Sequence, residues 1–501
     1  MPDLDSSSFA RLSDSPSEHL GSLPRDKPEE ACGVFGVYAP NLQAAKLVYF
    51  GLYALQHRGQ ESAGIATFTE NEVHLCKQMG LVSQVFNEHR LTEELPGSIA
   101  VGHTRYSTTG SSHAGNAQPI VINTRLGDLA LAHNGNLVNT AALHQDLRAK
   151  GFKLETTIDS EAIAWAIAEE VGKGKDWLEG AISACQRCQG AFSLVIGTPV
   201  GIMGVRDPHG VRPLVLGLLY RDNRPTPYYV LSSETCGLDI IGAEYLRDVE
   251  PGELVWITDE GLASFHWSSQ PERKLCIFEM IYFARPDSQM HGESLYSYRV
   301  RLGEQLAKEA SVEADLIIAV PDSGIPAAIG FSQATHIPYA EGLIKNRYVG
   351  RTFIQPTQAM RELGIRMKLN PLRDVLEGKR VVMVDDSIVR GTTSRQIVKA
   401  LKDAGASEVH VRVSSPPVTH PCFYGIDTDN QDQLIAATKS VDEIAIQMGV
   451  DSLYFLSWEG MLAATQTDPS TFCSACFTGD YPIPIPEPLK QSKLMLEAPV
   501  R

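Results

Sequence analysis

The 501-residue sequence holds no run of about 18 consecutive apolar residues, so none of it reads as a transmembrane helix. Positive charge is in the minority: 44 Lys and Arg stand against 60 Asp and Glu, a formal net charge of −16. That balance argues against nucleic acid or an anionic membrane as the main partner, and there is no basic DNA-binding segment. A local phosphate site is untouched by this bulk number. No internal repeat occurs. Residues 1–31 lack the apolar core of a secretory signal. They are also too acidic for a transit peptide, since Asp3, Asp5, Asp14, Glu18, Asp26, Glu29 and Glu30 outnumber Arg11, Arg25 and Lys27. A disordered tail is expected over the first ~25 residues. What remains is globular in composition, 43% hydrophobic and 21% charged, and long enough for two or three domains. Nine cysteines in a chain with no signal peptide point to reduced cytosol, and to catalytic or metal-binding thiols.

The most informative stretch is Val381 to Ser394, VVMVDDSIVRGTTS. Val381, Val382 and Val384 make a β-branched run suited to a strand buried on both faces. Asp385 and Asp386 end that strand. Gly391, Thr392, Thr393 and Ser394 then supply hydroxyls and backbone N–H groups where a helix, Arg395 to Ala404, should begin. A helix N-terminus carries about half a positive charge and suits a phosphate. Two carboxylates beside it would take hydroxyls or a hydrated Mg²⁺ rather than a second anion. The residues therefore point to a sugar phosphate at the carboxyl end of a strand. In order, spacing and flanking strand, the stretch resembles the 5-phosphoribosyl 1-pyrophosphate (PRPP) signature of type I phosphoribosyltransferases. The resemblance implies that Asp385 and Asp386 hold the ribose hydroxyls and Mg²⁺. It also implies that Ser387, Arg390, Gly391, Thr392, Thr393 and Ser394 hold the 5-phosphate.

Toward the start of the chain, Cys32 heads the apolar run CGVFGV. A cysteine in such a run packs as a small hydrophobe unless other groups give it work. Four polar clusters follow, each ending or interrupting a strand pattern: Leu55–Ser62 (LQHRGQES), Gly102–Ser107 (GHTRYS), His133–Asn136 (HNGN) and Asp159–Glu161 (DSE). Together with Cys32 they resemble the glutaminase domain of N-terminal-nucleophile amidotransferases, in wording most like the glutamine PRPP amidotransferase family. The resemblance implies that residues 1–31 are a propeptide, and that Cys32 becomes both nucleophile and owner of the free α-amine that takes its proton. It implies that Arg105 pairs with the glutamine carboxylate and Asp159 with its ammonium, and that Asn134 and the Gly135 N–H stabilise the oxyanion. His57, His103 and His133 lack a second ligand at metal spacing and read as structural. Cys185-x-x-Cys188, on an amphipathic helix expected over Trp177–Gln189, reads as helix packing. The segments Arg206–Leu214 (RDPHGVRPL) and Ser232–Glu234 continue the same resemblance.

A second domain is expected to begin near Pro271, with a helix opening at Tyr298–Arg299 and running to about Ala310, and a strand over Asp315–Val320. Pro321-Asp322-Ser323-Gly324 ends that strand, where a parallel sheet gathers ligand groups. By resemblance this is the pyrophosphate loop, with Ser323 on Mg²⁺. The basic, poorly periodic stretch 343–371 is a lid in the same reading, with Lys345, Arg347 and Arg351 on pyrophosphate. Cys276, Cys422, Cys473 and Cys476 give four thiols, enough for zinc or an iron–sulfur cluster, and spacing does not choose between them. The resemblance to the iron–sulfur branch implies a 4Fe–4S cluster, one per subunit, beside one Mg²⁺ per subunit.

The expected architecture is an α+β glutaminase with αββα layering (32–267), then an α/β phosphoribosyltransferase with a doubly wound parallel sheet (268–480). A propeptide (1–31) and an extended Pro-rich tail (481–501) flank them. The implied reaction moves ammonia from glutamine to C1 of PRPP in the cytoplasm, as a homotetramer inhibited by purine nucleotides, with neither nucleic acid nor membrane as partner. Two rivals differ in the second half. A sugar-phosphate amidotransferase would carry an isomerase domain there, and a PRPP-sensing regulator would have no need of an intact Cys32, Arg105, Asn134 and Asp159.

Overall fold

The computed structural model describes residues 32–70, 72–106, 113–221, 226–346, 369–428 and 430–486. The proposed propeptide, Arg347, Arg351 and the end of the C-terminal tail lie outside them. In the first half two antiparallel sheets stack face to face. The seven-stranded sheet runs Glu244–Asp248, Val215–Leu219, Tyr228–Ser232, Gly33–Tyr38, Ile99–Arg105, Ser62–Phe68, Val73–Met79. The six-stranded sheet runs Gly261–His266, Glu253–Thr258, Gly201–Arg206, Gly190–Thr198, Gly127–Leu137, Ile120–Thr124. Between them lies an apolar layer that includes Val34, Phe68, Val101, Ala132, Val195 and Leu231. The helix Ala44–Ala54 covers the outer face of the first sheet. The helices Thr140–Ala149, Asp159–Gly172 and Trp177–Cys185 cover that of the second. Each central strand is thus buried on both faces, which is why Gly33–Tyr38 and Gly190–Thr198 read as continuous apolar runs without alternation.

The second half is built on parallel strands in the order Leu316–Ala319, Arg380–Asp385, Glu408–Val413, Ser452–Phe455. Tyr339 bridges Ile317 in parallel on the outer side of the first of these strands. In chain order the sheet is therefore 2-1-3-4-5, with its switch point between the first and third segments. Ile317, Val382 and Val384 pack on one face under the helices Leu295–Glu309 and Ile325–Thr335. Ile318, Val381 and Met383 pack on the other under Thr392–Asp403 and Val441–Met448. The unbroken VVMV run is the direct consequence of cover on both sides.

Three expectations shift. The helix after the acidic pair begins at Thr392, not Arg395, because Gly391 sits at φ +78° as its N-cap and starts the turn at once. The helix expected from Tyr298 begins at Leu295, where the Ser294 hydroxyl accepts from Ser297 N–H; that cap was the missed signal. The tail is not free at its start. Tyr481 Oη donates to the Pro421 carbonyl at 2.6 Å, and the Tyr424 hydroxyl exchanges hydrogen bonds with both the carbonyl and the N–H of Ile483. Ile483 is buried among the residues around Cys422, so apolar side chains alternating with prolines dock as an extended strap.

The helices Leu295–Glu309 and Ile325–Thr335 approach through Gly303, where an added Cβ would come within 1.8 Å of the Ala327 carbonyl oxygen. Gly303→Ala is expected to destabilise this half by about 3 kcal/mol, the upper range for overpacking. A urea titration followed by Trp458 fluorescence reads this, and an unchanged midpoint would show that the helices can part freely.

Candidate active sites: a buried thiol and a phosphate cradle

Cys32 lies immediately before the strand Gly33–Tyr38, opposite the end of Ile99–Arg105. Only 6% of it is exposed, and its Sγ donates weakly to the Tyr106 carbonyl at 3.5 Å. Burial pushes its thiol up to about 12; Arg105 draws it down, and Asp159 and Glu61 add to the rise. Cys32, Arg105 and Asp159 therefore share one electrostatic neighbourhood, as their motifs implied. Asp159 opens the helix Asp159–Gly172 and accepts from Leu137 N–H at 2.9 Å, with His133 Nδ1 at 3.3 Å. Burial alone would raise its carboxyl, but the His133 ring, the Leu137 N–H and the Ser160 hydroxyl hold it below the ordinary value. It is a carboxylate at neutral pH, fit to meet an ammonium.

Asn134 and Gly135 sit on Gly127–Leu137, in the facing sheet, three and two residues before the Leu137 N–H that anchors Asp159. Asn134 is fully buried, and neither its side-chain oxygen nor its nitrogen has a hydrogen-bond partner. A buried amide left open is costly unless a ligand completes it. Gly135 has φ +143°, and a Cβ there would lie 2.1 Å from the Ala191 carbonyl oxygen, so no other residue fits.

The histidines are structural. His103 Nε2 bonds the His133 carbonyl at 3.0 Å, and burial pushes the ring down to about 3, so it is neutral. His57 Nε2 meets Glu234 at 2.7 Å. The helix expected over Trp177–Gln189 ends at Cys185, and Cys188 follows in the turn beyond it; both are packed in the apolar core, with Cys188 Sγ donating to the Ala184 carbonyl.

In the second half the two loops at the switch point meet: the Ser323 hydroxyl donates to Asp386, whose other oxygen accepts from Ser387 at 2.7 Å. Asp385 accepts from the Asp386 N–H at 3.0 Å, and both acids are buried. Arg390 donates to Gln433 at 3.1 Å. Thr392, Thr393 and Ser394 form the first turn of the following helix, at its positive end. Lys345, on the strand Leu343–Lys345, is 2.5 Å from Asp322. A cavity of about 510 Å³ opens here, lined by Pro321, Asp322, Tyr339, Lys345 and Asn346 among others. Asp385 to Ser394 are outside its lining, so the cradle is a separate surface beside it.

The four cysteines of the second half also come together. Cys276 and Cys473 are in register on the short parallel ladder Leu275–Cys276 with Phe472–Cys473. Cys422 is buried in the same apolar cluster, with Cys476 packed against it. Burial raises the Cys476 thiol, and Cys276, Cys422 and Cys473 each raise it further. Among the described residues, no set of three or more His, Cys, Asp or Glu is placed to hold a metal ion.

Sequence reasoning left one group unassigned: Arg58, Arg212, Glu234 and Glu279, a buried charge cluster between the two halves. Arg58, Arg212 and Glu234 lay inside quoted motifs and Glu279 three residues after Cys276, so the residues were in view, but a charged residue does not announce that it will be buried.

This fold and these sites define a class: a glutaminase of the amidotransferase type fused to a phosphoribosyltransferase. Residues 103–236 match the glutamine amidotransferase domain family and 299–451 the phosphoribosyl transferase domain family. The chain is 68% identical over 478 residues to amidophosphoribosyltransferase of Synechococcus elongatus, covering 95% of this chain and 96% of that one. It is 49% identical to the Mycobacterium tuberculosis amidophosphoribosyltransferase, over 94% and 90% of the two chains. Among solved structures it is similar to the glutamine PRPP amidotransferase of B. subtilis complexed with ADP and GMP, with a TM-score of 0.84 and 48% identity over 91% of this chain and 98% of that one. The chain belongs to the amidophosphoribosyltransferase family, enzymes that use glutamine and PRPP in the first step of purine biosynthesis. An isomerase second half is thereby ruled out.

The Cys32 environment makes a prediction of its own. In chains where Cys32 is still amide-linked, alkylation by iodoacetamide should be slow at pH 8 and rise about tenfold per pH unit beyond pH 10, following the thiolate fraction. A plateau near pH 9 would mean the thiol is not desolvated as described.

Proposed function

We propose that the mature enzyme begins at Cys32, residues 1–31 being removed, and that it hydrolyses glutamine at Cys32 to feed ammonia to PRPP at Asp385–Asp386. The observation that carries the first half is the open, buried amide of Asn134. With the Gly135 N–H it is a ready donor pair for a tetrahedral oxyanion. Arg105 takes the glutamine carboxylate and Asp159 its ammonium. A thiol held up to about 12 needs a base at hand, and the α-amine freed by cleavage is on the same residue. Cys32 Sγ attacks the amide carbon, its proton passes through that amine to the leaving nitrogen, ammonia departs, and water releases glutamate from the thioester.

In the second half Asp385 and Asp386 hold the ribose hydroxyls. Ser387, Arg390, Gly391, Thr392, Thr393 and Ser394 hold the 5-phosphate at the helix N-terminus. Ser323, Asp385 and Asp386 form an oxygen-only set suited to one Mg²⁺, which would neutralise the pyrophosphate leaving group. Lys345 faces the pyrophosphate side, joined by Arg347 and Arg351. Ammonia attacks C1 of PRPP, giving 5-phosphoribosylamine and pyrophosphate.

The four cysteines Cys276, Cys422, Cys473 and Cys476 hold one 4Fe–4S cluster per subunit. Sulfurs around a single ion all lie about 2.3 Å from it and nearly touch, whereas those of a four-iron cluster bind different irons and stand further apart. The pairing of Cys276 with Cys473 and the packing of Cys422 and Cys476 in the same cluster support a shared thiolate centre, and the resemblance to the iron–sulfur branch gives it as 4Fe–4S. The division at 32–267 and 268–480, with tails 1–31 and 481–501, a homotetrameric state and cytoplasmic location belong to the same reading. So does inhibition by purine nucleotides, the B. subtilis relative being complexed with ADP and GMP.

The test separates the half-reactions. Glutamate release should depend on PRPP and be matched by pyrophosphate. Cys32→Ala should abolish glutamine use while ammonia still supports phosphoribosylamine formation; loss of both in folded protein would contradict the two-site scheme. Asn134→Ala should lower glutaminase turnover by roughly 10²–10³, the usual cost of one oxyanion donor, and Asp386→Asn should damage the ammonia-dependent reaction instead. Mass spectrometry of active protein should find Cys32 first, and full activity in chains retaining Met1 would refute the assignment. Anaerobic protein should be brown with about four irons per chain, and zinc in their place would overturn the cofactor.

A further inference from the structure

A chain of buried charge runs from the four cysteines to the nucleophile. Glu279 is fully buried and accepts from Arg58 Nη2 at 2.6 Å, from Arg58 Nη1 at 3.0 Å and from Arg212 Nη2. Arg58 donates in turn from Nε to the Cys32 carbonyl at 3.1 Å and from Nη1 to Glu234 at 2.5 Å. At the other end, Arg212 is completely buried, and its Nε and Nη1 have no partner. A sealed guanidinium with two open N–H positions calls for an anion or another acceptor. The thiols lie beside it: the carbonyl of Val211, next to Arg212 in the chain, accepts from the Cys276 N–H at 3.0 Å, and Val211 packs in the same apolar cluster as Cys276, Cys422 and Cys473. Glu279 is tied to the same centre along the chain, since it follows Cys276 by three residues.

We propose that Arg212 and Glu279 are positioning residues that tie the four-cysteine centre to Cys32. Arg212 turns its open N–H groups toward an anionic, sulfur-rich cluster, and Glu279 carries the resulting order through Arg58 to the Cys32 carbonyl. This rests on the reading of Cys276, Cys422, Cys473 and Cys476 as iron–sulfur ligands. A filled centre gives Arg212 a counter-charge on one side and leaves Glu279 to be shared evenly on the other. An empty centre leaves Arg212 charged, buried and half satisfied, so it competes with Arg58 for Glu279, and the clamp on Cys32 loosens. The centre is then a support for the glutaminase as well as for the domain that houses it.

The test uses full-length protein purified without oxygen and compares the unaltered chain with Arg212→Gln and Arg212→Lys. Iron per chain and the visible absorption spectrum report the centre. Covalent labelling of Cys32 by 6-diazo-5-oxo-norleucine reports the nucleophile, and ammonia-dependent pyrophosphate release reports the other site. Arg212→Gln should shift the visible bands, bleach faster in air and slow Cys32 labelling roughly tenfold, the usual scale for a partner one shell out from a metal. Ammonia-dependent turnover should stay as in the unaltered chain, and Arg212→Lys should recover part of both losses. Iron and spectrum present in the unaltered chain, with both readouts unmoved in Arg212→Gln, would overturn the link alone. An unaltered chain without iron would overturn the cluster reading and the link with it. Should the Arg212 variants not fold, Glu279→Gln keeps the side-chain shape. It must move the spectrum and the Cys32 labelling together, and a change in only one contradicts the proposal.

Discussion

A carboxylate sealed between two guanidinium groups, Glu279 between Arg58 and Arg212, is the contact on which the relation of the two halves depends. Each half has its own apolar core, and Val138, Ala191 and Val211 of the first pack in one buried cluster with Phe278, Val389 and Phe423 of the second. Polar contacts set the register between them: these ion pairs, Arg285 N–H and the Ser288 hydroxyl on Glu234, and Asn136 on the Phe423 carbonyl. Removing one partner of a buried pair costs about 3–5 kcal/mol, because the survivor stays charged and dry. Exposed pairs contribute about 0–1 kcal/mol. The apolar cluster holds the halves together, and the few buried polar groups, each expensive to lose, fix their geometry.

The same low dielectric sets the chemistry at both ends. Burial pushes the Cys32 thiol up to about 12 and the His103 ring down to about 3, so neither is charged at rest. Asp159 escapes this because His133, the Leu137 N–H and the Ser160 hydroxyl hold it ionised. The proposed glutaminase site thus keeps the Cys32 thiol protonated until a base is supplied, and the Asp159 carboxylate always ionised. The proposed PRPP site is arranged oppositely: Asp386 accepts from the Ser323 and Ser387 hydroxyls and Asp385 from the Asp386 N–H, an acidic pair for which a cation and sugar hydroxyls are the natural guests.

Much of this was legible in the residues. The VVMVDDSIVRGTTS stretch gave strand, acidic pair and helix-opening turn in the right order, because a strand covered on both faces must be apolar at every position. Cys32, Arg105 and Asp159 were found through their motifs, and the structure gathers them. Helix starts were misjudged at Leu295 and Thr392 because a Ser cap and a left-handed Gly decide them, and both signals are single residues. The docking of Ile483 was missed since prolines mark extension without saying what the chain lies against. The buried Arg58–Glu279–Arg212 cluster was missed for a deeper reason: it joins residues 221 positions apart, and burial of charge is a property of the assembled fold.

The central claim is that one nitrogen passes inside the protein from Cys32 to the sugar at Asp385–Asp386. Glutamine labelled with ¹⁵N at the amide, given with PRPP in the presence of excess unlabelled ammonium at neutral pH, tests it directly. The account predicts phosphoribosylamine carrying the label almost undiluted. Product diluted to the isotopic ratio of the bulk solution would contradict it.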